Sequence, residues 1–188
     1  MPVGRHRVQL DIQELPAIRG SPRREYKTSL IHLRTRMKYA EIHPTATGRR
    51  IAGVLRRAIG RLPPSHLVVT DNALVCTMAN TPHPERRTAF EQTVADVGLR
   101  HWRIKPRLPR QNGNIERSNQ TDHAEWFHQQ EFSGSDHRRY VHRLWEMYDN
   151  DHRPHQGLDG DHAVGALPSV PSDPCRSHGC ANIVKQYT

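Results

Sequence analysis

From Arg107 to Thr121 the chain reads Arg-Leu-Pro-Arg-Gln-Asn-Gly-Asn-Ile-Glu-Arg-Ser-Asn-Gln-Thr, and this stretch constrains the fold more than any other. Pro109 stops whatever precedes it. Asn112-Gly113 makes a tight polar entry, and Asn112 can cap a helix running through Ile115, Glu116 and Asn119. Glu116 then lies about one turn inside a helix start, beside Arg117 and with few apolar neighbours. A helix this polar in its first turns is not there mainly to fill a core. Its Glu, Arg and Asn need another purpose, and two aspartates elsewhere in the chain supply one.

The remaining elements follow from hydrophobic periodicity. From Arg7 to Leu15, Val8, Leu10 and Ile12 alternate with Gln9, Asp11 and Gln13, the period of a strand. Asp11 therefore sits inside a strand, where aspartate is disfavoured. Residues 16–25 read as a loop. Tyr26 to Leu33 and Met37 to His43 read as two further strands joined by a turn at Arg34-Thr35-Arg36, so the three segments predict an antiparallel meander. After Thr45-Ala-Thr-Gly, the steps of Ile51, Val54, Leu55, Ala58, Ile59 and Leu62 predict an amphipathic helix with five arginines on its outer side. Pro63-Pro64 ends it.

His66 to Thr70 is a short buried strand that delivers Asp71-Asn72 at its C-terminal end. Residues 73–84 are irregular. Glu85 to Val97 reads as a helix burying Phe90, Val94 and Val97, with Gly98 as its C-terminal cap. Leu99 to Ile104 is one more strand. The Glu116 helix extends to about Gln129, and Ser135 opens a last helix with an apolar stripe of Tyr140, Val141, Leu144, Trp145 and Tyr148. Asn150 to Leu158 is a polar turn, and from Asp159 onward Gly, Pro, Ser and Asp predict a loosely ordered tail. The order β-β-β-α-β-α-β-α-α predicts a mixed α/β layer architecture. The domain division is thus a core over residues 1–158 and a tail over 159–188.

Composition narrows the partners. In 188 residues there are 28 Lys+Arg against 19 Asp+Glu, a net charge of +9, with arginine well ahead of lysine. That balance favours a polyanion, and guanidinium groups suit bidentate phosphate contacts. Three cysteines (Cys76, Cys175 and Cys180) form no disulfide framework in a chain of this size, which predicts a reducing, cytoplasmic compartment. No stretch approaches the roughly 20 apolar residues of a membrane helix, and the N-terminus carries no signal-peptide pattern.

Asp11, Asp71 and Glu116 can converge if the first strand and the strand ending at Thr70 are parallel neighbours, because ligands of open α/β sheets gather beyond strand C-terminal ends. Three close carboxylates repel unless cations neutralise them. Oxygen donors without cysteine point to Mg²⁺ or Mn²⁺ rather than zinc. Two such ions, roughly 3.5–4 Å apart, can activate a water or a 3′-hydroxyl and stabilise a leaving oxygen in phosphoryl transfer. Each residue also has a plainer reading. Asp71-Asn72 is a common turn pair, and Glu116 suits the positive end of a helix dipole. Asp11 is the most telling of the three.

The chain resembles the integrase core domain of DDE-type transposases of bacterial insertion sequences, related to retroviral integrases. The resemblance is carried by Leu10-Asp-Ile, Thr70-Asp-Asn, the Arg107–Asn119 block with its Asn-Gly and Glu-Arg, and Asn150-Asp-His-Arg-Pro-His-Gln-Gly-Leu. Arg36-Met-Lys-Tyr-Ala-Glu and Gly98-Leu-Arg-His fit its connecting segments. It runs from about Arg7 to Leu167. It implies a ribonuclease-H-like mixed five-stranded sheet flanked by helices, with Asp11, Asp71 and Glu116 as a catalytic triad holding Mg²⁺ or Mn²⁺ as two ions. It further implies metal-dependent DNA strand cleavage and strand transfer, by a homo-oligomer bridging DNA ends.

The chain departs from the family pattern in three ways. Ala73 stands where the family usually has Gly after Asp-Asn, which predicts strain in a turn that prefers φ > 0. The 44 residues between Asp71 and Glu116 (positions 72–115) exceed the family's usual spacing. Asp11 follows only ten residues, without the helix-turn-helix segments that such transposases use to recognise their element's ends, so a separate helix-turn-helix partner is an option. Two other readings stay open: a non-catalytic DNA-binding transposase remnant, and a ribonuclease-H-like nuclease. Candidate DNA contacts are Lys105, Arg117, Arg153 and His155, the last two reading rather more as residues that close the C-terminal turn onto the core. Cys175-Arg-Ser-His-Gly-Cys180 has too few ligands for a zinc site. Trp126, Phe127 and Trp145 are expected in the core rather than as base-stacking platforms.

Overall fold

The computed structural model describes residues 6–21, 23–105 and 111–165. The alternation at the start of the chain becomes β1, Arg7–Leu15, paired antiparallel with β2, Glu25–His32, which pairs antiparallel with β3, Lys38–His43. The meander expected from the sequence is present. Helix α1, Gly48–Ile59, leads into β4, Leu67–Thr70; then follow α2, Ala89–Asp96, and β5, Arg100–Arg103. Helix α3, Gly113–Glu125, continues through a short 3-10 turn at Phe127–Gln129 to α4, Ser135–Asp151. The sheet order is β3-β2-β1-β4-β5, with β1, β4 and β5 mutually parallel. The expected mixed five-stranded, ribonuclease-H-like sheet with flanking helices is what forms.

The two sides of β1 carry the two layers. Its even positions, Val8 and Leu10, join Leu30 and Val68 with Ile51, Val54, Leu55 and Ala58 of α1 and Phe90 and Val94 of α2 in one apolar core. The thiol of Cys76 also lies there, and burial pushes it up to about 12, so it is not a nucleophile near neutral pH. The odd positions face α3. Gln9 is buried rather than solvated, and a smaller cluster of Leu15, Ile42, Trp126, Phe127 and Val141 closes that layer. Trp145 packs against it, so the three aromatics expected in the core are there.

This second layer is ionic as well as apolar. Asp122 of α3 accepts from Lys27 Nζ and Lys38 Nζ, each at 2.6 Å, and from Trp145 Nε1 at 2.8 Å. Lys38 also meets Asp149 of α4 at 3.1 Å. All four charged side chains are almost fully buried. Burial opposes the charged form of Asp122, yet the two ammonium groups hold its carboxyl well below the usual carboxylate range.

Helix α4 also covers the open edge of the sheet. Asn150 accepts from Lys38 N and donates to Lys38 O, both at 2.8 Å, while Glu146 accepts from Ala40 N at 2.7 Å. These side chains satisfy backbone groups that an edge strand would otherwise expose. The stripe expected on α4 is corrected in consequence. Val141 and Trp145 do pack inward, but Tyr140 and Tyr148 are exposed, at 61% and 37%. The buried side instead carries Arg138 and Asp149, which meet Glu25 and Lys38 of the sheet, and His142, which packs against Trp126. Helix α2 begins at Ala89 rather than Glu85. Thr88 and Glu91 form a reciprocal capping box there that fixes the start.

Three histidines, His32, His101 and His142, are held neutral, burial driving them to about 4, 4 and 3. Unfolded, each titrates near 6.5, so between pH 6.5 and 4 the unfolded chain binds more protons and stability falls as the pH falls. Burial raises Glu146 to about 7, which acts in the opposite sense between pH 4.5 and 7. His43 and His123 are also shifted down, chiefly by burial, so the histidines outweigh Glu146 and unfolding takes up protons near pH 5.5. The urea midpoint should drop clearly from pH 7 to pH 5, and a midpoint that rises on acidification would contradict this account.

Candidate active site

The parallel pairing of β1 with β4 sets Gln9 beside Val69. Extending that register by two residues brings Asp11 level with Asp71, the residue after β4. Asp11 is also directly opposite Ser29 of β2, in the middle of the sheet. Its carboxyl is raised above the ordinary value, first by burial and further by the negative charge of Asp71. The parallel neighbouring of β1 and β4 that the sequence allowed is present, and the two aspartates it carries repel each other.

Helix α3 is fastened over them by amides. Gln9 donates through Nε2 to the Gln111 carbonyl at 2.7 Å and accepts from the Ile115 N–H at 3.1 Å. Gln111 Oε1 in turn accepts from the Lys105 N–H at 3.1 Å. Asn119, fully buried, donates through Nδ2 to Asp11 Oδ2 at 2.7 Å. Asn119 therefore positions Asp11, and Gln9 positions the helix start. The sequence reading missed both roles. A signal was available in the succession Gln9, Asp11 and Gln13 on one strand side, which implies polar partners there.

Glu116 lies in the first turn of α3, three residues before Asn119, and so on the same side of the helix. Among the described residues it makes no side-chain hydrogen bond or ion pair, and no group of three His, Cys, Asp or Glu side chains is close enough to hold a metal ion. The structure brings Asp11 and Asp71 together and leaves Glu116 one helical turn from Asn119. The donors present suit a hard divalent cation: oxygen atoms only, with a buried carboxylate whose charge is disfavoured by burial and by its neighbour. Asn112 does occupy the N-cap position, but its side chain makes no capping hydrogen bond and its Oδ1 is buried without a partner. The expected cap is corrected: Gln9, reaching from β1, binds a first-turn N–H in its place. Pro109 and the Arg107–Arg110 part of the block lie outside the described residues.

After β4 the chain turns on local side chains. Asp71 Oδ1 accepts from the Ala73 N–H at 3.0 Å, and Asn72 Nδ2 donates to the Ile104 carbonyl at 2.9 Å, tying this turn to the end of β5. The strain expected at Ala73 is absent. Among the described non-glycine residues only Arg36 and Asp159 have positive φ, so the Asp71 side chain makes the turn without a left-handed residue.

The candidate DNA contacts separate into two places. Lys105 is exposed at the end of β5. Arg117, Arg153 and His155 instead line one cavity of about 740 Å³ on the other flank of α3. Arg153 binds Glu125 through two hydrogen bonds, at 2.9 and 2.8 Å, and lies 3.8 Å from Asp149. His155 Nε2 is 3.0 Å from the Asp149 carbonyl, the geometry of an Nε2–H donor. Both residues therefore hold the C-terminal turn against the core. That turn continues inward: Val164 N donates to the Asn150 carbonyl at 3.1 Å, and Ala163 is fully buried. The Cys175–Cys180 segment lies outside the described residues.

Residues 97–161, spanning β5, α3, α4 and the closing turn, match the family model described as integrase core domain. No curated protein matches the chain. Among solved structures, the chain is similar to a chain of the simian T-cell lymphotropic virus intasome in complex with PP2A regulatory subunit B56 gamma, at 17% identity and a TM-score of 0.67. That match covers 90% of this chain but only 59% of the intasome chain. The chain is also similar to the catalytic core domain of BIV integrase, at 15% identity and TM-score 0.61, covering 86% and 93% of the two chains. The catalytic core domain of HTLV-2 integrase in complex with magnesium gives 11% identity, TM-score 0.62, and coverage of 87% and 96%. Residues 97–161 thus carry the integrase core domain pattern, and the chain has the retroviral-integrase-like catalytic core fold.

Proposed function

We propose that this chain is the catalytic core of a DNA-cleaving and strand-transferring enzyme of the transposase and integrase type. The observation that carries the reading is the closeness of Asp11, in the middle of β1, to Asp71, just past the end of β4, with their charges opposing each other and Asn119 clamping Asp11. Asp11 and Asp71 hold divalent metal, Mg²⁺ or Mn²⁺, and Glu116 completes the ligand set from the first turn of α3. When bound, such ions supply a nucleophile at neutral pH and neutralise charge at the phosphorus being attacked. The chain's own share is positional. Asn119 leaves Asp11 one carboxylate oxygen free of its amide, Asp71 keeps Oδ2 clear of its turn, and the buried floor of the site excludes water from beneath. No covalent enzyme intermediate is needed, because a water attacks first and the freed 3′-hydroxyl attacks target DNA afterwards.

The substrate is double-stranded DNA, held by the basic surface and by Lys105 and Arg117, and the working form is an oligomer bridging two DNA ends. Of the described residues, no helix is long and apolar enough to cross a membrane, which agrees with action on nucleic acid in an aqueous compartment. A second reading, a DNA-binding remnant without chemistry, is favoured by one observation: Glu116 is not gathered into a three-residue group with the aspartates. Supercoiled plasmid incubated with the purified chain separates the two. Nicking in Mn²⁺ or Mg²⁺ that disappears with chelator is the expected result. Tight, salt-sensitive plasmid binding with no nicking in either metal would overturn the catalytic reading in favour of the remnant.

A further inference from the structure

The two edges of the sheet are finished differently. At the β3 edge, Asn150 and Glu146 of α4 bind the outward backbone groups of Lys38 and Ala40. At the other edge, β5 pairs with β4 on one side and, among the described residues, with no strand on the other. Its even positions face β4: Arg100 N donates to the His66 carbonyl at 3.0 Å, and Ile104 N to the Thr70 carbonyl at 2.9 Å. By the alternation of a strand, the N–H and C=O groups of His101 and Arg103 then point outward. Among the described residues, none of these groups has a hydrogen-bond partner. The open stretch also has definite ends. Just before it, Leu99 N donates to the Val94 carbonyl at 3.0 Å, and just after it Lys105 N donates to Gln111 Oε1 at 3.1 Å. The fold closes the outward N–H groups on either side and leaves those of His101 and Arg103.

An unpaired edge invites another strand, and fixed charges are a common guard against pairing between copies. Arg100 and Arg103 are exposed on this edge, and Lys105 is exposed at its end. Two copies of the edge laid side by side would bring only positive charges together, so a second copy of the chain is a poor occupant. The same charges favour an acidic one. Phosphate suits the edge badly, because the outward carbonyls of His101 and Arg103 turn the negative ends of their dipoles toward it. A peptide backbone supplies donors to those carbonyls as well as acceptors for the N–H groups.

The geometry points to β5 as a docking edge for a partner protein: an extended acidic segment adds a further strand alongside Arg100–Arg103. Its backbone bonds to His101 and Arg103, and its carboxylates lie beside Arg100, Arg103 and Lys105. The inference goes beyond the catalytic reading and does not depend on it. The place nonetheless adjoins the candidate site. Asn72 Nδ2 donates to the Ile104 carbonyl at 2.9 Å, so the end of the docking strand is tied to the turn that carries Asp71. A partner held on β5 is thereby anchored next to that turn.

The test uses the full chain and three labelled hexapeptides: one alternating Glu and Val, the same peptide N-methylated at every residue, and one alternating Lys and Val. Fluorescence anisotropy gives the affinities, and amide hydrogen exchange read by NMR gives the place. The acidic peptide is expected to bind at least about tenfold more tightly than its N-methylated form, which keeps the charge and loses the donors. On binding, exchange at His101 and Arg103 should slow by about tenfold or more, while Trp102, whose N–H faces β4, should change little. Arg100→Glu is expected to weaken the acidic peptide by about fivefold and to admit the Lys-Val peptide. The fold should tolerate it, since Arg100 makes no side-chain hydrogen bond or ion pair among the described residues. Equal binding of the N-methylated peptide would overturn the proposal, because charge alone would then account for affinity. So would binding that leaves His101 and Arg103 exchange unchanged, or no binding of the acidic peptide up to about 1 mM. Slow exchange of both amides in the peptide-free chain would also overturn it, since another part of the chain or a second copy would then hold the edge. A DNA oligonucleotide that slowed the same two amides as strongly would replace the peptide with nucleic acid.

Discussion

Asp122→Ala is expected to lower the free energy of unfolding by about 3–5 kcal/mol, enough to unfold much of the protein at 25 °C. The reason is arithmetic of charge in a dry place. Lys27 and Lys38 are balanced by Asp122 and Asp149, and all four are nearly inaccessible to water. Removing one carboxylate leaves Lys38 with Asp149, while Lys27 keeps only the weaker attraction of Asp11 and the ring of Phe127 at 5.6 Å. Trp145 Nε1 loses its acceptor in the same step. Such a pair need not be a net stabiliser relative to apolar residues of the same shape, so the sharper test is restoration. Lys27→Met added to Asp122→Asn should recover a large part of the loss, since Lys38 keeps Asp149 at 3.1 Å. Urea denaturation of the two variants decides it. A cost below about 1 kcal/mol for Asp122→Ala would mean that water reaches these charges.

Those two lysines also show where sequence reading stops. The order of strands and helices was legible because apolar periodicity reports which side of an element is dry, and Val8, Leu10 and the Ile51–Ala58 steps did so. Asp11 was legible because a strand interior disfavours aspartate. Lys27 and Lys38 look like any lysine in an exposed strand, and their partner in Asp122 is 95 and 84 residues away. On α4 the same blindness produced an error. Tyr140 and Tyr148 face out, and the inward side includes Arg138 and Asp149, chosen by Glu25 and Lys38 of the sheet, charges that periodicity does not register. Ala73 misled for a different reason: the turn after Thr70 is made by the Asp71 carboxylate accepting from the backbone, so no left-handed residue is required. The motif block placed Glu116 at a helix start, but nothing in it shows that Gln9 binds that first turn or that Asn119 touches Asp11. Side-chain amides joining strand to helix leave little periodic trace in a sequence.

Asp11→Asn separates stability from chemistry. The Asp11 carboxylate is an unfavourable group in the metal-free fold, disfavoured by burial and by the charge of Asp71. Asparagine has the same shape, keeps an oxygen to accept from Asn119 Nδ2, and removes the charge. The variant should therefore be more stable than the parent in chelator by about 1 kcal/mol, the usual sign when a functional site is relieved of its own cost. The same exchange removes a proposed metal ligand, so metal-dependent nicking is expected to fall by about 10²–10³-fold or more. The upward shift in melting temperature that Mn²⁺ produces in the parent should disappear with it. Asp71→Asn is expected to lose nicking in the same way while binding DNA within about threefold of the parent, because one exposed carboxylate contributes little to a surface with many arginines. If Asp11→Asn lost stability along with activity, Asp11 would be a structural residue and the carboxylate site would fall. If Asp71→Asn lost binding and cleavage equally, Asp71 would serve the DNA-binding surface rather than the reaction. A more stable, metal-insensitive, inactive Asp11→Asn beside an inactive, DNA-binding Asp71→Asn is the pair of results that only a metal-holding site predicts.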